Sequence, residues 1–408
     1  MAPSVPHLLV DTVGSDRDPA TTVAETPLTP AQIRAAKTRS STIDREIAKA
    51  RKVEETMIRL LLLGTAESGK STVLKQLKLI HHGNLNDRDS STGATLSSAT
   101  NAMSGSPTLG DGLPMDAMTW KNVIRSNLAD SLHLVLANVG VHGNGLRSDA
   151  AKVAAKTVME NSEALKNSSE TEFESLRGPL STVLEDKGFK LAMSCGAKFN
   201  LLDSGPKFIQ NALNIIDAQY QPSNEEILLA RLPTTSITET LLDIQGNPFK
   251  VYDVNGSAKG RSAWIPFFDH CHAIVFVAAI SSFDQPLPDD PFINKLMDSM
   301  MVFEKVINHP LMKKSAFMLF LNKIDLLKEK LASGASVHEA FPDYGGSNEY
   351  EEVSVFFAQR FASLKKNPKV KAYVHFTWAT QTSQIKTVLK LMHHTIIQLN
   401  LETAGLTV

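Results

Sequence analysis

The residues with the clearest chemical potential lie in a loop at positions 64–72 (GTAESGKST). The loop follows an apolar run at 57–63, which predicts a buried strand, and precedes an apolar periodicity at 72–80, which predicts a helix. In that context the spacing G-x-x-x-x-G-K-S predicts a phosphate-binding loop, where backbone N–H groups and a helix N-terminus face a phosphate chain. Lys70 is then expected to reach the terminal phosphates, and the Ser71 hydroxyl is expected to bind Mg²⁺. The loop residues predicted to contact a nucleotide are Glu67, Ser68, Gly69, Lys70, Ser71 and Thr72.

A carboxylate and a glycine lie at the end of a predicted strand at 249–254. Asp253 occupies the place from which an aspartate can support Mg²⁺ in phosphate-loop proteins. Gly256 has no side chain, so its backbone N–H can come close to a terminal phosphate. An Asp-x-x-Gly sequence alone is usually only a turn, and it gains weight here from the phosphate loop upstream.

The tetrapeptide at 322–325 (Asn-Lys-Ile-Asp) directly follows a predicted strand at 316–321. The Asp325 carboxylate can accept two hydrogen bonds from the edge of guanine, and adenine does not offer them. After the last predicted strand, the Ala379 N–H is expected to face the base carbonyl. These positions favour a guanine nucleotide over the alternative of an ATP-dependent kinase or ATPase. The residues predicted at the base are Asn322, Lys323, Asp325 and Ala379.

Composition limits the classes of protein to which the chain can belong. Its 408 residues suffice for two or three domains, and 42 Lys and Arg against 43 Asp and Glu give no indication of nucleic-acid binding. Two cysteines cannot form a disulfide framework, which favours a reducing compartment. No apolar run approaches the ~20 residues that span a bilayer. Ala2 stands where N-myristoylation needs glycine, and no cysteine near either end can take a lipid. We therefore expect a cytoplasmic protein without its own lipid anchor.

The chain divides by composition into several segments. Residues 1–29 are rich in Pro, Thr and Asp and predict a disordered tail, and residues 81–118 are low in complexity and predict a flexible insertion. Residues 30–56 predict a charged N-terminal helix, which is either solvated all round or carries a narrow apolar stripe for a partner. Residues 119–229 repeat apolar residues at helical spacing and predict an inserted all-helical domain.

The segments 57–80 and 230–408 alternate predicted strands and helices. This alternation implies an α/β fold with a mostly parallel, doubly wound sheet, whose ligands lie beyond the carboxyl ends of the strands. A hairpin is predicted for 238–244 and 249–254, around the turn-rich sequence Gln-Gly-Asn-Pro. Further strands are predicted at 272–280, 316–321 and 373–376, and helices at 291–308 and 383–401.

In order and spacing, these features resemble a heterotrimeric G protein alpha subunit. The resemblance extends from about residue 43 to residue 406 and includes the helical insertion. It rests further on the Asp203-Ser204 pair, on the sequence RLPTTSI at 231–237 and on Trp264. Small GTPases share the phosphate loop, Asp-x-x-Gly and Asn-Lys-x-Asp, but they lack a helical insertion with an arginine at its exit.

The resemblance implies a Ras-like P-loop GTPase domain with an inserted all-helical domain and an N-terminal helix. It implies a GTP/GDP switch in G protein-coupled receptor signalling. The switch would bind a beta-gamma dimer in its GDP state, a receptor through the C-terminal helix, and an unidentified effector. Association with the inner face of the plasma membrane would then come through these partners. The roles that it assigns are Arg231 as a catalytic arginine supplied in cis, Thr234 with Ser71 on Mg²⁺, Glu67 beside Arg231, and Asp203 and Ser204 at the nucleotide.

Two positions depart from the family's pattern. Ser257 lies where the family usually has the glutamine that orients the attacking water, and Ala66 replaces a glycine near the γ-phosphate. Both changes leave the main binding groups intact. We therefore expect GTP hydrolysis to be slower by roughly 10²-fold or more, the usual loss for one transition-state contact. Two alternatives stay open: another side chain takes over the glutamine's role, although neither Gln245 nor Gln381 is obviously placed for it, or the protein is a GTP-binding scaffold that hardly hydrolyses nucleotide.

Overall fold

The computed structural model describes residues 30–82, 117–161, 170–244, 246–288, 290, 292–368 and 370–403. The tail predicted at 1–29, most of the insertion predicted at 81–118, and Gln245 lie outside the described residues. The chain divides into two compact units, Met1–Lys52 and Val53–Val408. Helix α1 (Pro30–Thr56) accounts for the described residues of the first unit, and Ile43 on this helix is exposed.

The second unit contains both strands and helices in its described residues, and none of these helices is long and apolar enough to cross a membrane. The strands are β1 (Ile58–Leu63), β2 (Thr238–Ile244), β3 (Asn247–Asp253), β4 (Ala273–Ala279), β5 (Ala316–Asn322) and β6 (Ala372–Thr377). The α-helices are α2 (Lys70–His82), α3 (Ala117–His142), α4 (Asp149–Glu160), α5 (Glu170–Glu185), α6 (Lys187–Ser194), α7 (Gly205–Gln210), α8 (Ala212–Ile215), α9 (Asn224–Leu229), α10 (Lys295–Ile307), α11 (Ile324–Ala332), α12 (Val337–Ala340), α13 (Tyr350–Ser363) and α14 (Thr382–Thr403). 3₁₀ helices occupy Gly196–Phe199, Ala258–His270, Ile280–Asp284 and Pro310–Lys314.

The six strands form one sheet in the order β2-β3-β1-β4-β5-β6. β1 pairs in parallel with β3 and β4, and β5 pairs in parallel with β4 and β6, which confirms the predicted mostly parallel sheet. β2 and β3 are antiparallel, as the predicted hairpin requires. The register places Leu62 opposite Asp253, and Asn322 opposite both Ala279 and Thr377. The carboxyl ends of the five parallel strands therefore meet at one edge, where the loop after β1 also begins.

Apolar packing follows the two-residue period of the strands. In β1, Leu60 and Leu62 belong to one apolar cluster, and Leu61 and Leu63 belong to another. Every residue of β4 and β5 is buried, which explains why β4 and the part of β5 before Asn322 are continuous apolar runs in the sequence. A third cluster lies within the helices from α3 to α9 and gives the helical insertion a core of its own.

Helix α10 begins later than the helix predicted at 291–308. Asn294 is its N-cap, and the Asn294 side chain accepts a hydrogen bond from the Met297 N–H at 2.8 Å. A β-bridge between Pro286 and Asn294 closes the preceding segment. Because the cap residue itself is non-helical, the first helical residue is Lys295. The 3₁₀ helix Ala258–His270 is a second difference, since no element was predicted there.

Candidate functional site

The loop between β1 and α2 has a conformation that its glycines permit. Gly64 and Gly69 have φ values of 140° and 105°, and Glu67 between them has a φ of 61°. A Cβ atom on Gly64 would lie 2.2 Å from the Val277 carbonyl oxygen, and one on Gly69 would lie 2.2 Å from the Asn322 side-chain nitrogen. Both positions therefore require glycine, for the backbone conformation and for the space.

The Lys70 ammonium lies inside this loop. It donates to the carbonyl oxygens of Gly64 at 2.9 Å and Thr65 at 2.8 Å. Burial lowers the pKa of Lys70 to about 8, although the Asp253 carboxylate opposes this shift. A Cβ atom on Gly256 would lie 2.4 Å from the Lys70 ammonium nitrogen, so the two strand ends approach closely here. Lys70 is thus a buried cation whose charged form a neighbouring polyanion would stabilise.

Oxygen atoms from three separate segments meet at the start of α2. The Ser71 hydroxyl donates to Asp253 Oδ2 at 2.9 Å and lies 3.1 Å from the Thr234 hydroxyl oxygen. The second carboxylate oxygen of Asp253 is buried and has no hydrogen-bond partner in the described residues. Burial raises the pKa of Asp253, and the nearby Lys70 opposes that rise. The arrangement brings together the three residues that the sequence predicts around Mg²⁺.

The Asn322 side chain, at the end of β5, forms hydrogen bonds with the loop after β1 and with the end of β6. Its amide nitrogen donates to the Ser68 carbonyl oxygen at 2.9 Å. Its amide oxygen accepts from the Thr377 hydroxyl at 3.1 Å and from the Ala379 N–H at 3.2 Å. The Ala379 N–H, which we expected at a base carbonyl, therefore donates to Asn322 in this structure. Asn322 accordingly shapes the slot by tying the phosphate loop to the segments after β5 and β6.

The predicted base-binding end of the site is closed by contacts to the helical insertion. Lys323 forms an ion pair with Asp203 at 2.5 Å, and Gln285 donates to the same carboxylate at 3.3 Å. Burial by itself would raise the pKa of Asp203, but the Lys323 charge holds it below the usual range. Burial raises the pKa of Asp325, which lies beside Lys323 at the start of α11. The Asp203 carboxylate thus links the insertion to the Ras-like part of the chain.

Glu67 lies between two cations. Its carboxylate pairs with the Arg231 guanidinium at 2.8 Å, as the resemblance implied, and with the Lys295 ammonium, also at 2.8 Å. Burial would raise the pKa of Glu67, but Lys295 and Arg231 together lower it. Glu67 therefore stays ionised, and it connects the phosphate loop both to the exit of the helical insertion and to the start of α10.

Ser257 serves as a cap in this structure. Its hydroxyl accepts a hydrogen bond from the Gly260 N–H at 3.3 Å, at the start of the 3₁₀ helix, and its own N–H donates to Asn255 Oδ1 at 2.8 Å. The indole N–H of Trp264 donates to the Asn255 carbonyl oxygen at 2.9 Å. Arg261 in the same 3₁₀ helix makes a bidentate pair with Asp298 of α10. The segment after Gly256 is thus held by its own side chains and by α10.

A cavity of about 370 Å³ connects these groups. Ser68 and Asp253 do not line the cavity; both are buried, and they contact the lining residues Asn322 and Ser71 respectively. Ala66 and Ser257, the two departures from the family pattern, both lie on the wall. The predicted nucleotide-binding residues that line the cavity are Glu67, Gly69, Lys70, Ser71, Thr72, Asp203, Ser204, Arg231, Thr234, Gly256, Asn322, Lys323, Asp325 and Ala379.

Several supporting contacts of the site have no motif in the sequence. Lys295 on Glu67 and Gln285 on Asp203 come from the segment around the start of α10. Asn127 on α3 contacts the backbone of Arg231. Each of these contacts joins positions that only the fold brings together. The N-cap signal of Asn294 would have located the start of α10, but it would not have revealed a contact to the phosphate loop.

The chain is a P-loop α/β protein with an inserted helical domain, as defined by its mostly parallel sheet, the phosphate loop after β1 and the helices that follow α2. Residues 37–396 match the family model of the G-protein alpha subunit. The chain belongs to the G-protein alpha subunit family.

Individual relatives agree with this assignment. The chain is 32% identical over 371 residues to the guanine nucleotide-binding protein alpha-17 subunit of Caenorhabditis elegans, covering 90% of this chain and 96% of that protein. It is 31% identical over 374 residues to a guanine nucleotide-binding protein subunit alpha of Coprinellus congregatus, covering 91% of this chain and 96% of that protein. It is 30% identical over 368 residues to the guanine nucleotide-binding protein alpha-1 subunit of Mycosarcoma maydis, with 90% and 96% covered.

Proposed function

We propose that the protein is a GTP/GDP switch that binds the nucleotide in the cavity described above and hydrolyses GTP slowly. The observation that carries the proposal is the convergence on one cavity of the phosphate loop, the Asn-Lys-Ile-Asp segment and Arg231. Membership of the alpha-subunit family supports guanine as the base and GTP hydrolysis as the reaction.

The chain's own groups suit the two ends of a nucleoside triphosphate. At one end, Lys70 is a buried cation whose present partners are two backbone carbonyls. Phosphate oxygens would replace these carbonyls and would raise the lowered pKa of the ammonium. At the other end, Asp325 lines the cavity and offers two acceptor oxygens to a guanine edge.

The donor set around Ser71 fits Mg²⁺. Two hydroxyls, from Ser71 and Thr234, lie beside the buried Asp253 carboxylate, one oxygen of which has no hydrogen-bond partner among the residues that the structure describes. Oxygen ligands of this kind are what a hard cation prefers. Ser71 and Thr234 would hold the ion, and Asp253 would support it. When bound, Mg²⁺ neutralises part of the charge on the phosphate oxygens.

Slow hydrolysis is expected because the site has an arginine that can stabilise charge but has a serine where a water-orienting glutamine is needed. Arg231 lies on the cavity wall and can stabilise charge that develops on phosphoryl oxygens. Ser257 is too short to orient a water molecule in line, and its hydroxyl already accepts the hydrogen bond that caps the 3₁₀ helix. Ala66 adds a methyl group to the wall where the family has glycine. Binding groups are therefore retained, and the water-orienting group is missing.

A single-turnover assay with γ-labelled GTP, started by adding Mg²⁺, tests this proposal on the full chain. Ser257→Gln should hydrolyse GTP faster than the wild type by roughly 10²-fold, the usual value of one transition-state contact. Ser262→Gln is the matched control, because Ser262 is exposed on the same 3₁₀ helix and does not line the cavity. It should hydrolyse GTP at the wild-type rate.

Two outcomes of that assay would contradict slow hydrolysis for the stated reason. Fast hydrolysis by the wild type, equal to that of Ser257→Gln, would mean that another side chain orients the water. Retention of unhydrolysed GTP by both proteins would favour the alternative of a GTP-binding scaffold.

Family membership also supports the classes of partner expected from the sequence. We propose that the GDP form binds a beta-gamma dimer and that α14 contacts a receptor. The protein would lie in the cytoplasm and would reach the inner face of the plasma membrane through these partners. Co-elution of the GDP-loaded chain with a purified beta-gamma dimer, lost on loading with a non-hydrolysable GTP analogue, is the test. Co-elution that does not depend on the nucleotide would count against a switch.

A further inference from the structure

The backbone of Arg231 is held by one side chain from the helical insertion. The Arg231 N–H donates to Asn127 Oδ1 at 2.6 Å, and Asn127 Nδ2 donates to the Arg231 carbonyl oxygen at 3.0 Å. Asn127 lies on α3 and is 7% exposed. A planar amide that pairs with both polar groups of one residue fixes the position and the direction of that backbone segment.

The residues just before Arg231 are tied to α2 as well. The Lys75 ammonium donates to the carbonyl oxygens of Ile227 at 2.9 Å and Ala230 at 2.6 Å. The Thr72 hydroxyl donates to the Leu228 carbonyl oxygen at 3.4 Å. The exit of the insertion is therefore anchored on the phosphate-loop helix, and the Arg231 residue itself is anchored on α3.

The Arg231 side chain depends on these anchors for its position. The side chain is 43% exposed, and its guanidinium pairs with Glu67 of the phosphate loop. An arginine side chain has many rotamers, so the region that its guanidinium can reach is defined by where its backbone is held. A displacement of about 1 Å at a reacting centre can cost about 10² in rate.

We propose that Asn127 is a positioning residue for GTP hydrolysis: its amide holds the Arg231 backbone so that the guanidinium reaches the phosphate loop. This inference rests on the proposed function, since it assigns a structural basis to the action of Arg231. The neutral Asn127 side chain on α3 is then a contribution of the helical insertion to the reaction. Because that amide carries no charge, its removal leaves the formal charge around the phosphates unchanged and acts through geometry.

The test compares Asn127→Ala with Asn138→Ala, both in the Ser257→Gln protein, where hydrolysis is expected to be fastest. Asn138 lies on the same helix and donates only to the Leu134 carbonyl oxygen of that helix in the described residues, so it is a matched control. Asn127→Ala should slow single-turnover hydrolysis by about 10²-fold, and Asn138→Ala should not change it. The affinity for a fluorescent GDP analogue should be the same in all of these proteins.

A double-mutant comparison separates positioning from general damage to the fold. In an Arg231→Ala background, Asn127→Ala should cause no further loss of hydrolysis, because the group that it positions is absent. The same fold-loss in both backgrounds would overturn the inference. Unchanged hydrolysis in Asn127→Ala would also overturn it, provided that Ser257→Gln hydrolyses GTP.

Backbone hydrogen exchange gives a second readout that needs no turnover. Exchange of the Arg231 amide should be faster by about 10-fold or more in Asn127→Ala and unchanged in Asn138→Ala. Unchanged exchange in Asn127→Ala would overturn the inference whatever the hydrolysis rates. Failure of the proposed function would look different, because the fluorescent GDP analogue would then not bind to any of the proteins, the wild type included.

Discussion

Replacing Lys75 with methionine should change how the free energy of unfolding depends on pH. The Lys75 ammonium donates to two backbone carbonyls and lies 4.8 Å from the centre of the Trp120 ring. Burial, together with the nearby Lys78 charge and against the opposing Asp253 carboxylate, lowers the pKa of Lys75 from its usual 10.5 to about 7. Methionine keeps most of the aliphatic length and removes the titrating group.

The sign follows from counting protons. Below pH 7 the lysine is charged in both the folded and the unfolded protein, so its contribution does not vary with pH. Between pH 7 and pH 10 the unfolded chain still binds the proton and the folded chain has lost it, so the stability rises with pH. A difference of one bound proton changes the free energy of unfolding by about 1.4 kcal/mol per pH unit. Between pH 7 and pH 9, the free energy of unfolding of the wild type should therefore rise by about 2 kcal/mol more than that of Lys75→Met.

Urea unfolding at pH 6, 7, 8 and 9, with GDP at one saturating concentration, measures this difference. Lys152→Met is the control, because Lys152 is exposed and its pKa is raised by a hydrogen bond from its ammonium to Asp149. Lys152 therefore keeps its proton in both states throughout this range. Parallel pH profiles for the wild type and Lys75→Met would refute the reasoning, since they would mean that Lys75 has the same pKa in both states.

Two further substitutions test contacts that hold the site. Gly64→Ala and Gly145→Ala both place a side chain at positive φ. The new Cβ at position 64 would lie 2.2 Å from the Val277 carbonyl oxygen, whereas the one at position 145 would meet no atom of the described residues. Gly145→Ala should therefore destabilise the protein by about 1–2 kcal/mol and Gly64→Ala by distinctly more, and equal melting temperatures would contradict the clash. Asp298→Asn removes the carboxylate that pairs with Arg261 of the 3₁₀ helix Ala258–His270. The free energy of local opening of this helix should fall by about 1.5–3 kcal/mol. Hydrogen exchange over residues 258–264 should then be faster, and unchanged exchange would mean that the pair contributes nothing there.

The parts of the fold that could be predicted are those with a local pattern. Continuous apolar runs located β4 and β5, because both strands are buried on both faces. The hairpin of β2 and β3 follows from its turn sequence. The start of α10 could not be found from periodicity, because the Asn294 cap overrides the apolar pattern before it.

In the candidate site, too, the features with a local sequence pattern could be predicted and the contacts between distant segments could not. Motif spacing was enough to predict that the phosphate loop and the Asn-Lys-Ile-Asp segment share one site, and both segments line the same cavity. It gave no sign that Asn127 would hold the Arg231 backbone or that Lys295 would share Glu67 with Arg231. Those contacts depend on how the insertion and α10 pack, and single side chains at such positions have no local signature.

The contact from Asn322 to the phosphate loop has a consequence for synthesis of the chain. Asn322 binds the Ser68 carbonyl oxygen across 254 residues, and Ser71 meets Thr234 across 163. A ribosome that adds about 5–20 residues per second needs tens of seconds to travel from the loop to the segment that completes the slot. During that interval the glycine loop and its buried lysine lack the strand ends that fix them. A nascent chain therefore gains a complete nucleotide site only after the segment that contains Asn322 has been added and has paired with the loop. Until then the unpaired edge of the sheet is exposed, and exposed strand edges are prone to aggregation.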